Sequence, residues 1–173
     1  FSVSGSAIPG ADYQELGTSA TIGAGQEGAT VTVTPIDNFR ADPDRTVTLT
    51  LAGGSYALGS PKTATVTIGD NEAPVITVAA TDAAAAESAT ADTGTFAFTR
   101  LGSKTAALTV QFAVGGTATG GTDYASMGTS VAIPAGASTA TKTVTVTNDT
   151  LAELDETVVL TLAAGTGYAV GAP

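Results

Sequence analysis

The chain has 173 residues, with 6 Lys and Arg against 16 Asp and Glu for a formal charge of −10, and it has neither Cys nor His. Disulfides, cysteine nucleophiles, imidazole bases and the usual zinc or copper ligands are excluded together, and the acidity argues against nucleic acid or an anionic membrane as partner. No stretch reaches the roughly 20 apolar residues that insertion across a membrane as a helix requires, and aromatics are only 5%, so the core must come from small β-branched residues in short strands, which is an all-β composition.

The chain repeats itself. Phe1-Ser2-Val3-Ser4-Gly5 through Gly10-Ala11-Asp12-Tyr13 matches Phe112-Ala113-Val114-Gly115-Gly116 through Gly121-Thr122-Asp123-Tyr124, an offset of 111 residues. The offset continues through Gly17-Thr18-Ser19 and Gly128-Thr129-Ser130, and through Thr46–Leu51 and Thr157–Leu162. After a one-residue gap, Tyr56-Ala57-Leu58-Gly59 matches Tyr168-Ala169-Val170-Gly171. A fixed long period is the signature of tandem units, and the turn-forming Asp70-Asn71-Glu72-Ala73-Pro74 divides repeat 1 (1–74) from repeat 2 (75–173). Two full periods would need 222 residues, and Phe1 falls in mid-pattern, so the chain is expected to be a piece of something longer. On this reading repeat 1 lacks its first two strands and repeat 2 its last.

In chain order, period-2 alternation places a last strand for repeat 1 at Lys62–Gly69, carrying Val66 and Ile68. Repeat 2 opens with Val75–Ala80, followed by Gly94–Leu101 with Phe96 and Phe98 inward, and by Ala107–Gly115 with Leu108, Val110, Phe112 and Val114 inward. Ser130–Ile133, Thr141–Thr147 and Glu156–Ala163 complete it. Seven short strands per composite unit, with turn signals about every ten residues, predict two tandem immunoglobulin-like antiparallel sandwiches.

Strands that run up and down between two poles sort the loops. The upper pole collects loop one-two (Asp82, Glu87, Asp92), the two copies of loop three-four (Asp12 with Glu15, and Asp123), the two copies of loop five-six (Asp37, Asp42, Asp44, and Asp149, Glu153, Asp155, Glu156) and the end of the last strand (Asp70, Glu72). Of the 16 acids only Glu27 falls elsewhere. A solvated surface would disperse such charges, whereas calcium gathers six to eight oxygens from carboxylates, amides and backbone, and magnesium prefers to keep its waters.

The run Gly116-Thr117-Ala118-Thr119-Gly120-Gly121-Thr122-Asp123-Tyr124, Pro134-Ala135-Gly136 before a Thr/Val strand, and Asn148-Asp149-x3-Glu153-x2-Glu156 before Thr-Val-Val-Leu resemble the Calx-β motif in both copies. That family is known from regulatory domains of sodium/calcium exchangers and from tandem arrays in large bacterial surface and secreted proteins. The resemblance implies calcium bound at one pole: in repeat 2 by Glu87, Asp123, Asn148, Asp149, Glu153 and Glu156, and in repeat 1 by Asp12, Asp37, Asn38, Asp42, Asp70 and Glu72. Arg45 stands where Glu156 stands in the second copy, and a fixed cation at a ligand position weakens a site, so repeat 2 is the better candidate.

Other readings stay open at this point. The Asp-Tyr pairs serve equally as turn residues with a packed Tyr, and loop five-six of repeat 1, with Arg40 and Arg45 among its acids, as a self-neutralised surface loop. Asn148-Asp149-Thr150 fits a glycosylation sequon. Carboxylate pairs can hydrolyse glycosides, but that needs a cleft, and nothing in the sequence suggests one; no enzyme is expected. The expected function is a non-catalytic calcium-binding spacer or adhesion module of a long extracellular or cell-surface protein, with neighbouring repeats as partners and calcium locking one unit to the next. Two alternatives are a filament subunit completed by strands from like subunits, and a module that recognises a surface glycan or protein through its loops.

Overall fold

The computed structural model describes residues 1–87, 92–150 and 152–172. The chain divides into two compact units, Phe1–Asn71 and Glu72–Pro173, a few residues before the division expected at Pro74. Among the described residues there are ten strands and no helix, so the protein is all-β. They are β1 (Ser2–Ser4), β2 (Arg45–Thr50), β3 (Thr63–Ile68), β4 (Val75–Asp82), β5 (Thr93–Leu101), β6 (Leu108–Gly116), β7 (Ser130–Ile133), β8 (Thr139–Thr145), β9 (Val158–Leu162) and β10 (Ala169–Val170).

The second unit is a sandwich of two sheets, ordered β10-β4-β5-β8 and β7-β6-β9, antiparallel except where β10 lies parallel to β4. Alternation decides what they bury. Ile76 from β4, Phe98 from β5, Val110 and Phe112 from β6, Ile133 from β7 and Leu160 from β9 form one core drawn from both sheets. The Phe98 and Phe112 rings meet at 5.4 Å and 43°, the tilted contact that aromatic quadrupoles favour. Tyr168 closes the core from the chain after β9, where its hydroxyl donates to Ala163 O at 2.7 Å and accepts from Gln111 N at 3.0 Å.

The first unit is one antiparallel sheet, β1-β2-β3. Its buried apolar side chains are Tyr13 and Val47, while Val66 of β3 is 49% exposed. Residues 19–22 and 28–34, which align with β7 and β8 at the 111-residue offset, form no ladder. In the second unit β7 pairs with the first half of β6, and β8 with β5; residues 1–71 supply no counterpart of either partner, so the aligned segments have no neighbouring strand with which to form a ladder.

Strand limits differ from expectation for similar reasons. Instead of running over Thr141–Thr147, β8 begins and ends two residues earlier, because it follows Thr99 to Thr93 of β5. The first strand of repeat 2 continues past Ala80 through a bulge to Asp82. The short β10 was not foreseen; it forms where Ala169 and Val170 run beside Val75 and Ile76.

Both units cross β2 or β9 at the same glycine. Gly5 and Gly116 have φ of +131° and +110°, and a Cβ there would lie 2.1 Å from Thr46 O or 2.0 Å from Thr157 O. Only glycine combines that dihedral with so close an approach. Gly116→Ala is therefore expected to destabilise the second unit by about 2 kcal/mol or more, and Tyr168→Phe, which leaves Ala163 O and Gln111 N without their partner, by about 1–2 kcal/mol. Denaturant titration of each variant against the parent chain measures both.

Candidate metal centre

The site is built on the Asp-Tyr turns. Asp123 N donates to Thr119 O, Asp123 Oδ2 accepts from Thr119 N at 2.6 Å, and Asp123 O accepts from Thr147 N, so the residue is fixed from three sides. Tyr124 beside it is buried with Met127 and Val144 in a small cluster under the pole. The first unit repeats the arrangement: Ile8 N donates to Asp12 Oδ2 at 2.6 Å, Ile36 N to Asp12 O, and Tyr13 is buried. The turn reading of the pairs thus holds in both units. The Tyr anchors the loop while the Asp caps the turn.

In the second unit these loops border an open cavity of about 860 Å³. Glu87, Asp123, Glu153 and Glu156 line it, and so do Asp82 and Asp155. The expectation that no cleft exists is corrected here. Sequence reasoning put Asp82 and Asp155 at the pole but not among the ligands; the bulge after Ala80 determines where Asp82 falls, and no sequence signal marks that bulge. Asp149 lies close enough to Glu153 to act on it electrostatically. Asn148 does not line the cavity, and Leu151 of the same loop lies outside the described residues.

Crowding shows in the proton affinities. Glu153 is pushed above the ordinary glutamate value, first by loss of hydration and then by the charges of Asp123, Asp149 and Glu87. Glu156 is raised as well, first by a side-chain hydrogen bond with Asp123, then by desolvation and the charges of Asp123 and Glu153. Two carboxyl groups can hydrogen-bond to each other only if one carries a proton. Both glutamates remain exposed, so it is the repulsion, rather than deep burial, that a bound cation would relieve.

The first unit has a smaller cavity, about 350 Å³, lined by Asp12, Asp37, Asn38, Asp42, Arg45 and Asp70 among others. Its acids are already engaged. Asp42 N donates to Asp70 Oδ2 at 3.0 Å, Asn38 Nδ2 to Asp42 Oδ2 at 3.3 Å, and Arg45 Nε stands 3.5 Å from Asp12 Oδ2. That last approach is Coulombic, since Arg45 Nε has no hydrogen-bond partner. Glu72 belongs to the second unit and does not line this cavity. Asp44 does not line it either, though its Oδ1 is buried without a hydrogen-bond partner.

Among the described residues no group of three or more acids stands close enough to hold a metal ion as placed. The test of fit therefore rests on the donor chemistry. The second pole offers only oxygens, and two of its carboxyls, Glu153 and Glu156, have raised proton affinities, through loss of hydration and neighbouring acids for Glu153 and through Asp123 and loss of hydration for Glu156; such an all-oxygen, charge-crowded set fits a hard cation. The first pole holds a guanidinium against its central Asp and does not fit one.

A folded state that binds protons more tightly than the unfolded chain loses stability as pH rises. Both glutamates are raised, so in chelator the second unit should be most stable near the ordinary glutamate value of 4.5 and less stable as pH climbs through the raised values. Glu156→Gln keeps a donor toward Asp123 without the charge and should stabilise the metal-free protein at neutral pH. Thermal unfolding across this range in chelator measures both effects.

Comparison with protein-family models finds the Calx-beta domain over residues 1–72 and again over 70–170. A comparison with curated proteins found no match.

Proposed function

The chain belongs to the Calx-beta family, a family of non-catalytic β-sandwich domains associated with calcium, and from that premise we propose that it is a calcium-binding structural and adhesion module within a long repetitive extracellular or cell-surface protein. The observation that carries this reading is the convergence of Glu87, Asp123, Glu153 and Glu156 on one cavity. Asp149 adds a further charge from the same loop as Glu153. Calcium cancels the repulsion, ties the β4–β5 and β8–β9 connections to the turn before Tyr124, and so braces one end of the sandwich. Catalysis has no part in this reading, since the matched family is one of non-catalytic β-sandwich domains.

A second reading is the filament subunit completed by strands from like subunits. It is favoured by the exposure of Leu51 (43%) and Tyr56 (62%), whose counterparts in the second unit, Leu162 and Tyr168, pack into the sandwich core. Sedimentation velocity over a range of concentrations separates the two readings, since complementation requires reversible association of the 173-residue chain.

A ligand that binds only the folded state stabilises it, by about 2.7 kcal/mol when its free concentration is roughly 100 times Kd. Calcium should accordingly raise the melting temperature of the second unit, with magnesium a poor substitute. Asp149→Ala combined with Glu153→Ala should remove most of that response, whereas Asp42→Ala should leave it in place. An identical melting curve in chelator and in millimolar calcium would sink the reading.

A further inference from the structure

The two acidic poles share the turn and the glycine crossing that hold their central Asp, and at one matched position of that frame they carry opposite charges. Ile8 N and Thr119 N donate to Asp12 Oδ2 and Asp123 Oδ2 at the same 2.6 Å. Ser6 Oγ accepts from Thr46 N, and Thr117 Oγ1 from Thr157 N, both at 2.9 Å. Gly5 and Gly116 make the same close pass over Thr46 O and Thr157 O. Within that shared frame the residue ahead of the threonine is Glu156 in the second unit, where it lines the cavity together with Asp123. In the first it is Arg45, with Nε 3.5 Å from Asp12 Oδ2 and Nη1 donating to Ser6 O at 3.3 Å.

We infer that Arg45 is the resident counter-cation of the first pole, a guanidinium anchored by Ser6 O that supplies the positive charge a metal ion would bring, so that the first unit closes its acidic loops without calcium.

Three observations carry this. Arg45 lines the same 350 Å³ cavity as Asp12, Asp37, Asp42 and Asp70, so its charge reaches the whole acid group and not Asp12 alone. The pair is partly shielded, with side-chain exposures of 29% for Arg45 and 14% for Asp12, and a shielded guanidinium and carboxylate attract more strongly than a solvated surface pair. The remaining acids take donors from the protein itself, Asp70 from the Asp42 amide and Asp42 from the Asn38 amide. An arginine suits this role better than a lysine, because its planar fork can face Asp12 and hold a backbone carbonyl at once. A divalent ion entering the cavity would meet that fixed charge at short range and would have to displace it. Calcium sensitivity is thereby confined to the second unit. The inference builds on the calcium reading of that unit, and its test keeps the two apart.

Amide hydrogen exchange on the full 173-residue chain, in calcium and in chelator, reads each pole by its own reporters: Ile8 and Asp42 for the first, Thr119 and Thr147 for the second. In the parent chain exchange at Ile8 and Asp42 should agree within about twofold between the two conditions. Arg45→Met, which removes the charge and keeps much of the length, should speed exchange at Ile8 and Asp42 about tenfold in chelator. Arg45→Glu should do the same and make both amides slow again when calcium is added. Protection of Ile8 and Asp42 by calcium in the parent chain, or unchanged exchange in Arg45→Met, overturns the inference. If Thr119 and Thr147 ignore calcium while Arg45→Met opens the first pole, the calcium reading of the second unit fails and the role of Arg45 stands.

Discussion

Repulsion among carboxylates held at one end of a β-sandwich is the constraint on which the second unit's pole depends. The turn before Tyr124 fixes Asp123 by three hydrogen bonds, and the β8–β9 connection brings Glu153 and Glu156 to the same cavity. Neither element can retreat without breaking what holds it: Tyr124 is buried in the cluster below, and Val158 at the start of β9 packs against that cluster. The charges are thus fixed by apolar packing. Without a cation, the crowding and loss of hydration raise the proton affinity of Glu153 and Glu156.

The first unit meets the same problem with a covalently attached charge. Its turn, its glycine crossing and its central Asp repeat those of the second unit, and at the matched position where the second unit carries Glu156 the first sets Arg45 against Asp12. A guanidinium is always present and cannot be regulated, whereas a free ion follows its concentration. A tandem that carries one of each combines a constant element with a responsive one.

Much of this was legible in the sequence. The offset between Asp12 and Asp123 gave the tandem, and alternation through Phe96–Phe98 and Leu108–Val114 gave the inward faces that form the core. The sorting of acids to one pole needed only the count of strands. What could not be read depended on pairing partners. The limits of β8 follow β5, the bulge that positions Asp82 arises between two paired strands, and β10 exists because the chain after Tyr168 passes beside Val75 and Ile76. The missing ladders at 19–22 and 28–34 have the same cause, since similar residue patterns form strands only where a partner is present. The distance that separates a repelling acid cluster from a closed coordination shell is also set by the fold, and composition carries no trace of it.

The central claim is that Glu153 and Glu156 are held against their neighbours in a state that a cation relieves. Carbon NMR of their side-chain carboxyls during a pH titration, in chelator and in calcium, tests it at the atoms concerned. The account predicts that both titrate above the ordinary glutamate value in chelator and drop well below it in calcium. Ordinary titration of Glu153 and Glu156 in chelator, or values that calcium leaves unchanged, would contradict it.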